Sequence, residues 1–221
     1  MHKIKVMLAW VVFLSLFLPV ETQGVKFLQP PPPPIPPFGD MAVHFSTDTF
    51  FVAGDTAYCT DVLGSARIAF GLAQGGVMEN PEGRTDQLLT QEEFDTGNLI
   101  TVGGPAINPV TDYFDNAFGV EYTYVPGETF EIWVLSCTIT LDLTHYPHED
   151  ICVVYLRELS GRNILLVWGY GWQGTYAGST FIGDPENWQV YSDSHMLLLR
   201  WTVSNGDGLV QMNEISVEHH D

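Results

Sequence analysis

The chain has 221 residues, of which 45% are hydrophobic and 13% aromatic, and its formal net charge at pH 7 is −19. This much apolar material excludes a disordered chain, and the length suits one ordinary domain behind a leader. A surface this negative repels phosphate backbones, so the charge excludes nucleic acid as a partner.

An export signal is predicted at the N-terminus. Lys3 and Lys5 precede residues 6–20, which are almost entirely apolar. A basic start followed by an apolar run of this length is typical of a signal peptide, and the run is shorter than the roughly 20 residues of a membrane-spanning helix. Residues 1–24 are therefore predicted to be a signal peptide. Because no small-x-small cleavage site follows, an uncleaved signal anchor is the alternative prediction. In that case this segment would be the chain's only predicted contact with the membrane. The predicted location is secreted or cell-surface.

A proline-rich segment follows the leader. Residues 30–37 are proline except for Ile35. Such a run lacks backbone donors and prefers an extended polyproline helix, so residues 25–45 are predicted to be a stiff stalk. Binding to a proline-recognition module is the less favoured interpretation. Beyond the stalk, residues 46–200 are predicted to form the folded domain and residues 201–221 a calcium-loop-like segment with a tail.

Three times along the domain, a predicted strand ends in glycine and continues into a predicted helix. The strands are residues 50–53, 99–102 and 164–168. The helices follow near residues 55–71, 110–119 and 175–182. The first helix is predicted to bury one face, formed by Tyr58, Val62, Ala66, Ala69 and Phe70. Strand, glycine turn and helix in this order are typical of a mostly parallel sheet covered on both faces.

Two further strands are predicted between the second and third of these units, at residues 130–143 and 151–159. The latter turns back at Gly161 into the next strand, which predicts a hairpin. The predicted fold class is therefore α/β, a single domain with a mixed, mostly parallel sheet and helices on both faces. Cys137 and Cys152 lie in neighbouring predicted strands and are the better-placed disulfide pair, although free thiols fit equally well.

Two glycine turns are candidate binding sites. Backbone amides of Gly103 and Gly104 could bind an anion, but the turn alone is sufficient reason for these glycines. The phosphate-loop pattern G-x-x-x-x-G-K-[ST] is absent. In the second turn, Tyr170 and Trp172 alternate with glycines at the carboxyl end of a predicted strand, where α/β proteins place their sites. They predict a platform for a sugar ring or a neighbouring subunit, with aromatic lids over the sheet edge as the alternative.

No catalytic pattern is found. The sequence lacks both the G-x-S-x-G nucleophile elbow and the H-E-x-x-H metal motif. Residues 145–150 gather two histidines and two acids, but Pro147 favours a solvated turn over a metal site. The chain is therefore predicted not to be an enzyme.

The C-terminal segment resembles a calcium loop. On the template D-x-[DN]-x-[DN]-G-x₅-E, Asn205 and Asp207 take positions 3 and 5, Leu209 offers its carbonyl at position 7, and Glu214 is the twelfth ligand. Position 1 should be Asp and is Val203. Ca²⁺ is therefore the candidate cofactor. Three outcomes are compatible with the missing Asp: weak binding, binding completed by a carboxylate from elsewhere in the chain, or no binding.

With these residues in view, the chain resembles archaeal S-layer and S-layer-like surface proteins. The resemblance is carried by residues 98–109 (NLITVGGPAINP) and 167–178 (VWGYGWQGTYAG), supported by the helix 61–71 and the loop 205–214. It implies a secreted, non-enzymatic component of a paracrystalline coat, often stabilised by divalent cations. Members are usually longer, carry an anchoring segment and contain glycosylation sequons. This sequence is shorter and lacks both the extra anchoring segment and the sequons. These differences favour an accessory surface protein over the main lattice subunit.

Three functional hypotheses follow. The first is an exported structural or interaction protein whose partners are neighbouring surface-protein subunits, in a homo-oligomer or a lattice. The second is a secreted hydrolase of envelope polymers, with a site near Gly104, His145 and Trp172. The third is a carbohydrate-binding module that uses Tyr170 and Trp172 to bind envelope carbohydrate.

Overall fold

The computed structural model describes residues 36–221, so the predicted leader and most of the predicted stalk lie outside the described residues. The described strands are β1 Thr49–Ala53, β2 Glu82–Thr85, β3 Asn98–Val102, β4 Glu121–Val125, β5 Thr129–Val134, β6 Cys137–Asp142, β7 Glu149–Leu159, β8 Arg162–Gly169, β9 Met196–Thr202 and β10 Ile215–His220. The described helices are α1 Met41–His44, α2 Cys59–Gln74, α3 Gln91–Thr96, α4 Pro109–Phe118, α5 Trp172–Ile182 and α6 Pro185–Val190.

The strands form two sheets. The larger sheet has seven strands in the order β10-β9-β7-β8-β3-β1-β2, and the smaller has three in the order β4-β5-β6. Within the larger sheet, β8, β3, β1 and β2 pair in parallel. Strands β8, β7, β9 and β10 pair antiparallel, as do all strands of the smaller sheet. Half of the larger sheet is therefore parallel and half antiparallel.

The prediction of a mostly parallel sheet with helices on both faces is wrong, because the protein has a mixed seven-stranded sheet plus a separate antiparallel sheet. The predicted hairpin between β7 and β8 is present, and it starts the antiparallel half. Residues 130–143, predicted as one strand, are the two strands β5 and β6. They reverse at Leu135, whose φ is 55°. A non-glycine residue in this left-handed conformation gives no sequence signal for the turn.

The larger sheet separates two apolar layers. Along β8, Leu165 and Val167 face one layer, whereas Ile164, Leu166 and Trp168 face the other. Helices α2, α5 and α6 cover the first face. Helix α4 and the smaller sheet cover the second face. The alternation is the two-residue period of a strand that is buried on both sides.

Helix α2 packs on α5 through small residues. A Cβ added at Gly64 would lie 2.5 Å from Ser179 Oγ, and one added at Gly71 would lie 2.7 Å from the carbonyl carbon of Gly183. The buried face of α2 is therefore Asp61, Gly64, Ile68, Gly71 and Leu72. The predicted face was wrong, since the large side chains Tyr58, Val62 and Phe70 are exposed.

Both ends of the described chain belong to the folded unit. Phe38, Met41 and Phe45 are fully buried in the first apolar layer, so the core begins before the predicted boundary at residue 46. At the other end, β10 pairs with β9 and extends the larger sheet past the predicted boundary at residue 200. The three cysteines are free thiols. Among residues 36–221, no helix has both the length and the apolar character needed to cross a bilayer.

Candidate functional site

A cleft of about 570 Å³ opens where the parallel strands β1, β3 and β8 end. Parallel neighbours bring their carboxyl ends to one edge of the sheet, and α/β proteins bind ligands in the crevice outside that edge. Each of the three strands is followed by a loop and a helix there. Their loops form one side of the cleft, and the smaller sheet contributes the other.

Aromatic side chains dominate the wall of the cleft, which we call the aromatic cleft. They come from five separate segments of the chain and are Tyr58, Tyr122, Tyr124, Phe130, Tyr146, Trp168, Tyr170 and Trp172. Tyr170 is the centre of the packing, with ring centroids 4.9 Å from Phe130, 5.2 Å from Tyr146 and 6.0 Å from Tyr124. Tilted and edge-to-face pairs at these spacings are favourable, so the wall is a continuous packed surface.

The loop between β3 and α4 lines the aromatic cleft through residues 104–107. Asn108 holds this loop in place. Its Nδ2 donates to the carbonyl of Val52, 3.0 Å away, while its Oδ1 accepts from the amide of Val110 and caps α4. One buried side chain thus ties the loop to β1 and starts the next helix.

A buried carboxylate organises the turn between β8 and α5. Asp150 is fully buried, and its Oδ2 accepts from the amides of Gly171 (3.0 Å) and Gly174 (2.7 Å). Gly174 is required here, because an added Cβ would lie 2.9 Å from Asp150 Cγ. Burial raises the pKa of Asp150 to about 7, although its hydrogen bonds to backbone amides oppose the shift.

This turn has the G-x-G-x-x-G spacing of a dinucleotide-binding strand-turn-helix unit, from Gly169 to Gly174. In such units the amides at the helix N-terminus bind a pyrophosphate. Here Asp150 of the neighbouring strand accepts hydrogen bonds from those amides. The protein's own acid therefore takes the place that an anionic ligand would occupy.

Asp61 brings a second buried carboxylate to the aromatic cleft. It lies in the first turn of α2, lines the cleft and is 2% exposed. Its Oδ2 accepts no hydrogen bond within the described residues and lies against Gly103, where an added Cβ would be 2.7 Å away. Burial raises the pKa of Asp61 to about 6, so the carboxyl is mostly ionised at pH 7.

Asp115 lies behind the cleft wall. Its Oδ1 accepts from Trp168 Nε1 at 3.0 Å, and this bond fixes the indole that lines the cleft. Burial raises the pKa of Asp115 to about 8, against the opposing effect of the Trp168 hydrogen bond. The side chain is therefore a neutral acid at pH 7, and its role is structural support.

The structure brings three of the four predicted ligand-binding residues together. Gly104, Tyr170 and Trp172 line the aromatic cleft, and Gly103 lies beside it against Asp61. Asp61 and most of the aromatic residues of the wall were not predicted from the sequence. Only the pairing of β8 with β3 and the placement of the smaller sheet bring those residues to one edge.

The histidine-rich run at residues 145–150 does not enter the cleft as a unit. Tyr146 lines it, whereas His145 does not. His145 lies with its Nδ1 3.5 Å from Glu149 Oε2, and Glu149 also forms an ion pair with Arg200. The three positions of the hydrolase hypothesis are therefore not gathered in one pocket.

The calcium-loop-like segment is closed by its own hydrogen bonds. Asp207 accepts from the amide of Leu209 and from Asn205 Nδ2. Glu214 accepts from the amide and hydroxyl of Ser204 and from Trp201 Nε1. Calcium binding stays a prediction, and it requires Glu214 to exchange these partners for the ion. No group of three or more His, Cys, Asp or Glu side chains in residues 36–221 is arranged to hold a metal ion.

No family model matches the chain, and no curated protein is significantly similar to it. The function is therefore inferred from the geometry of the aromatic cleft and from the chemistry of its residues.

Proposed function

We propose that this chain is an exported, non-enzymatic interaction protein of the cell surface, of the S-layer accessory kind, and that the aromatic cleft is its binding site. The expected partners are neighbouring surface-protein subunits or envelope carbohydrate. Export is supported by the basic and apolar residues of the N-terminal segment. The acidic composition is compatible with an extracellular setting rich in cations.

The observation that carries the proposal is the convergence of Tyr170 and Trp172 with Gly104 in one cleft. Aromatic side chains that remain accessible, in a crevice of several hundred cubic ångströms, are typical of binding sites. The wall draws on both sheets and on the start of α2 and α5, so it is supported by rigid elements. A site built in this way is preorganised for a ligand.

Carbohydrate binding is the second candidate and uses the same residues. Tyr170 and Trp172 offer ring faces for a sugar, and Asp61 offers an acceptor for a hydroxyl group. The hydrolase hypothesis has less support, because His145 does not line the cleft. Any hydrolysis there would depend on Asp61, the one carboxylate among the described residues that line the cleft.

We expect Trp172→Ala to weaken ligand binding at least about fivefold, because a Trp in a binding surface commonly contributes more than about 1 kcal/mol. The measurement is binding of the full chain to a glycan array and to peptide probes that carry lysine. Phe70→Ala is the matched control, since Phe70 is an exposed aromatic outside the cleft lining. Equal binding by wild type and Trp172→Ala, with every probe, would contradict the proposed site.

The calcium part of the proposal predicts a higher unfolding midpoint in calcium than in chelator. With 10 mM Ca²⁺ and a dissociation constant of about 1 mM, typical of extracellular sites, the stabilisation is about 1.4 kcal/mol, or roughly 3–5 °C. Asp207→Ala, which removes the side-chain ligand at position 5, should remove the difference, and Mg²⁺ at the same concentration should not reproduce it. Identical midpoints in calcium and chelator would show that the segment at residues 205–214 does not bind the ion.

A further inference from the structure

We propose that the aromatic cleft binds a positively charged organic group, an ammonium carried by a free amine or by a lysine side chain of a partner, with Asp61 as its counterion. This inference rests on the proposed function and names the ligand chemistry of the same site. It concerns only the charge and shape of the group that enters the cleft.

Asp61 is the first reason. Its side chain is almost fully buried, and Oδ2 has no hydrogen-bond donor within the described residues. Removing a carboxylate from water is costly unless an opposite charge or donors replace the water. Within residues 36–221, no Lys, Arg or His lines the cleft. A ligand that brings an ammonium group would supply the missing partner.

The aromatic wall is the second reason. A cation over the face of Trp, Tyr or Phe, within about 6 Å of the ring centroid, is attracted by the ring quadrupole, and cages of several rings recognise alkylammonium groups. Tyr124, Phe130, Tyr146 and Tyr170 pack at centroid spacings of 4.9 to 6.0 Å and all line the cleft. The wall thus combines aromatic rings with a negative charge in one cleft.

The charge around the cleft is the third reason. The titratable side chains that line it are Asp61 and the tyrosines Tyr58, Tyr122, Tyr124, Tyr146 and Tyr170. Burial raises the pKa of Tyr146 and of Tyr170, which keeps their hydroxyls neutral at pH 7. Asp150 occupies the amides of Gly171 and Gly174, which would otherwise be free to hold an anion. An anionic ligand would therefore meet the repulsion of Asp61, and no cationic side chain among the described lining residues would offset it.

A neutral sugar fits these observations less well than a cation does. Sugar hydroxyls can donate to Asp61, and ring faces can stack on Trp172. The carboxylate would nevertheless stay without a counterion in a cleft whose other lining groups carry no charge. A cation satisfies the carboxylate and the aromatic faces together.

Two pairs of probes test the inference by calorimetric titration of the full chain. Choline and its uncharged isostere 3,3-dimethylbutan-1-ol test a free ammonium. The peptide Gly-Lys-Gly and its norleucine analogue test a lysine side chain. We expect at least one cation to bind at least about tenfold more tightly than its isostere, and the pair that shows the preference identifies the source. Asp61→Asn should abolish the preference, whereas Asp193→Asn, which removes an exposed charge outside the cleft, should leave it unchanged.

The outcomes separate the inference from the proposed function. Equal binding of cation and isostere by wild type would overturn the inference and leave the cleft as a binding site. Binding of a glycan, lost in Trp172→Ala, without binding of any ammonium probe would do the same. No binding of any probe or glycan would overturn both. The comparison of cation with isostere uses wild-type protein, so it decides the question even if Asp61→Asn does not fold.

Discussion

Replacing Gly71 with Ala should lower the free energy of unfolding by about 2–3 kcal/mol. Gly71 lies on the buried face of α2, and an added Cβ would be 2.7 Å from the carbonyl carbon of Gly183 and 3.0 Å from its Cα. These are backbone atoms, so they cannot rotate away, and α2 must move from α5. The gain in helix propensity, about 1 kcal/mol, offsets only part of the loss. Denaturant unfolding of the full chain measures the difference.

A matched substitution separates this clash from the general effect of replacing glycine. Gly83 in β2 has no atom within 4 Å of an added Cβ, so Gly83→Ala should change stability by less than about 0.5 kcal/mol. Gly64→Ala should cost less than Gly71→Ala, because its nearest neighbour is the side chain of Ser179. If Gly71→Ala were as stable as Gly83→Ala, the close approach of α2 and α5 would be incorrect.

Replacing Asp115 with Asn should stabilise the protein relative to wild type, increasingly so as the pH rises from about 4 to about 8. Burial raises the pKa of Asp115 to about 8 in the folded chain, whereas an unfolded chain releases this proton near pH 3.9. Between the two values the folded state holds a proton that the unfolded state has lost. Wild-type stability therefore falls as the pH rises, by at most about 1.4 kcal/mol per unit for this group. The amide cannot ionise and removes that slope.

The comparison requires unfolding free energies of both proteins at several pH values. Asp61 and Asp150 also have raised pKa values, so wild type alone would report a sum of groups. Subtracting the free energy of unfolding of wild type from that of the variant at each pH isolates the contribution of Asp115. Asp193→Asn, which replaces an exposed acid, is the control substitution. A pH-independent difference for Asp115→Asn would mean that Asp115 is ionised in the folded protein.

Local signals in the sequence predicted the elements that border the cleft. Glycine turns marked the ends of β3 and β8, and Gly119 in the left-handed conformation ends α4 where the pattern predicted. Such signals involve a few neighbouring residues, so they survive without knowledge of the tertiary structure. The same turns led to Gly104, Tyr170 and Trp172, which do line the cleft.

The errors came from features that depend on distant residues. The buried face of α2 was assigned to its large apolar residues, whereas packing on α5 selects Gly64 and Gly71. The turn at Leu135 has neither glycine nor proline, so β5 and β6 were predicted as one strand. Tyr122 and Tyr124 reach the cleft only because the smaller sheet lies beside the ends of β3 and β8. No periodicity within the chain encodes that placement.

The outer strand β10 limits how copies of this protein can join. An edge strand presents unpaired backbone groups that can recruit a strand of another molecule and lead to uncontrolled polymerisation. Here the pairing register of β10 shifts between Val217 and His219, and Glu218 at that irregularity forms an ion pair with Arg200 of β9. A bent, charged border of this kind is a poor template for strand addition. Copies of the protein that meet along β10 would therefore join through side-chain contacts, which can dissociate and re-form.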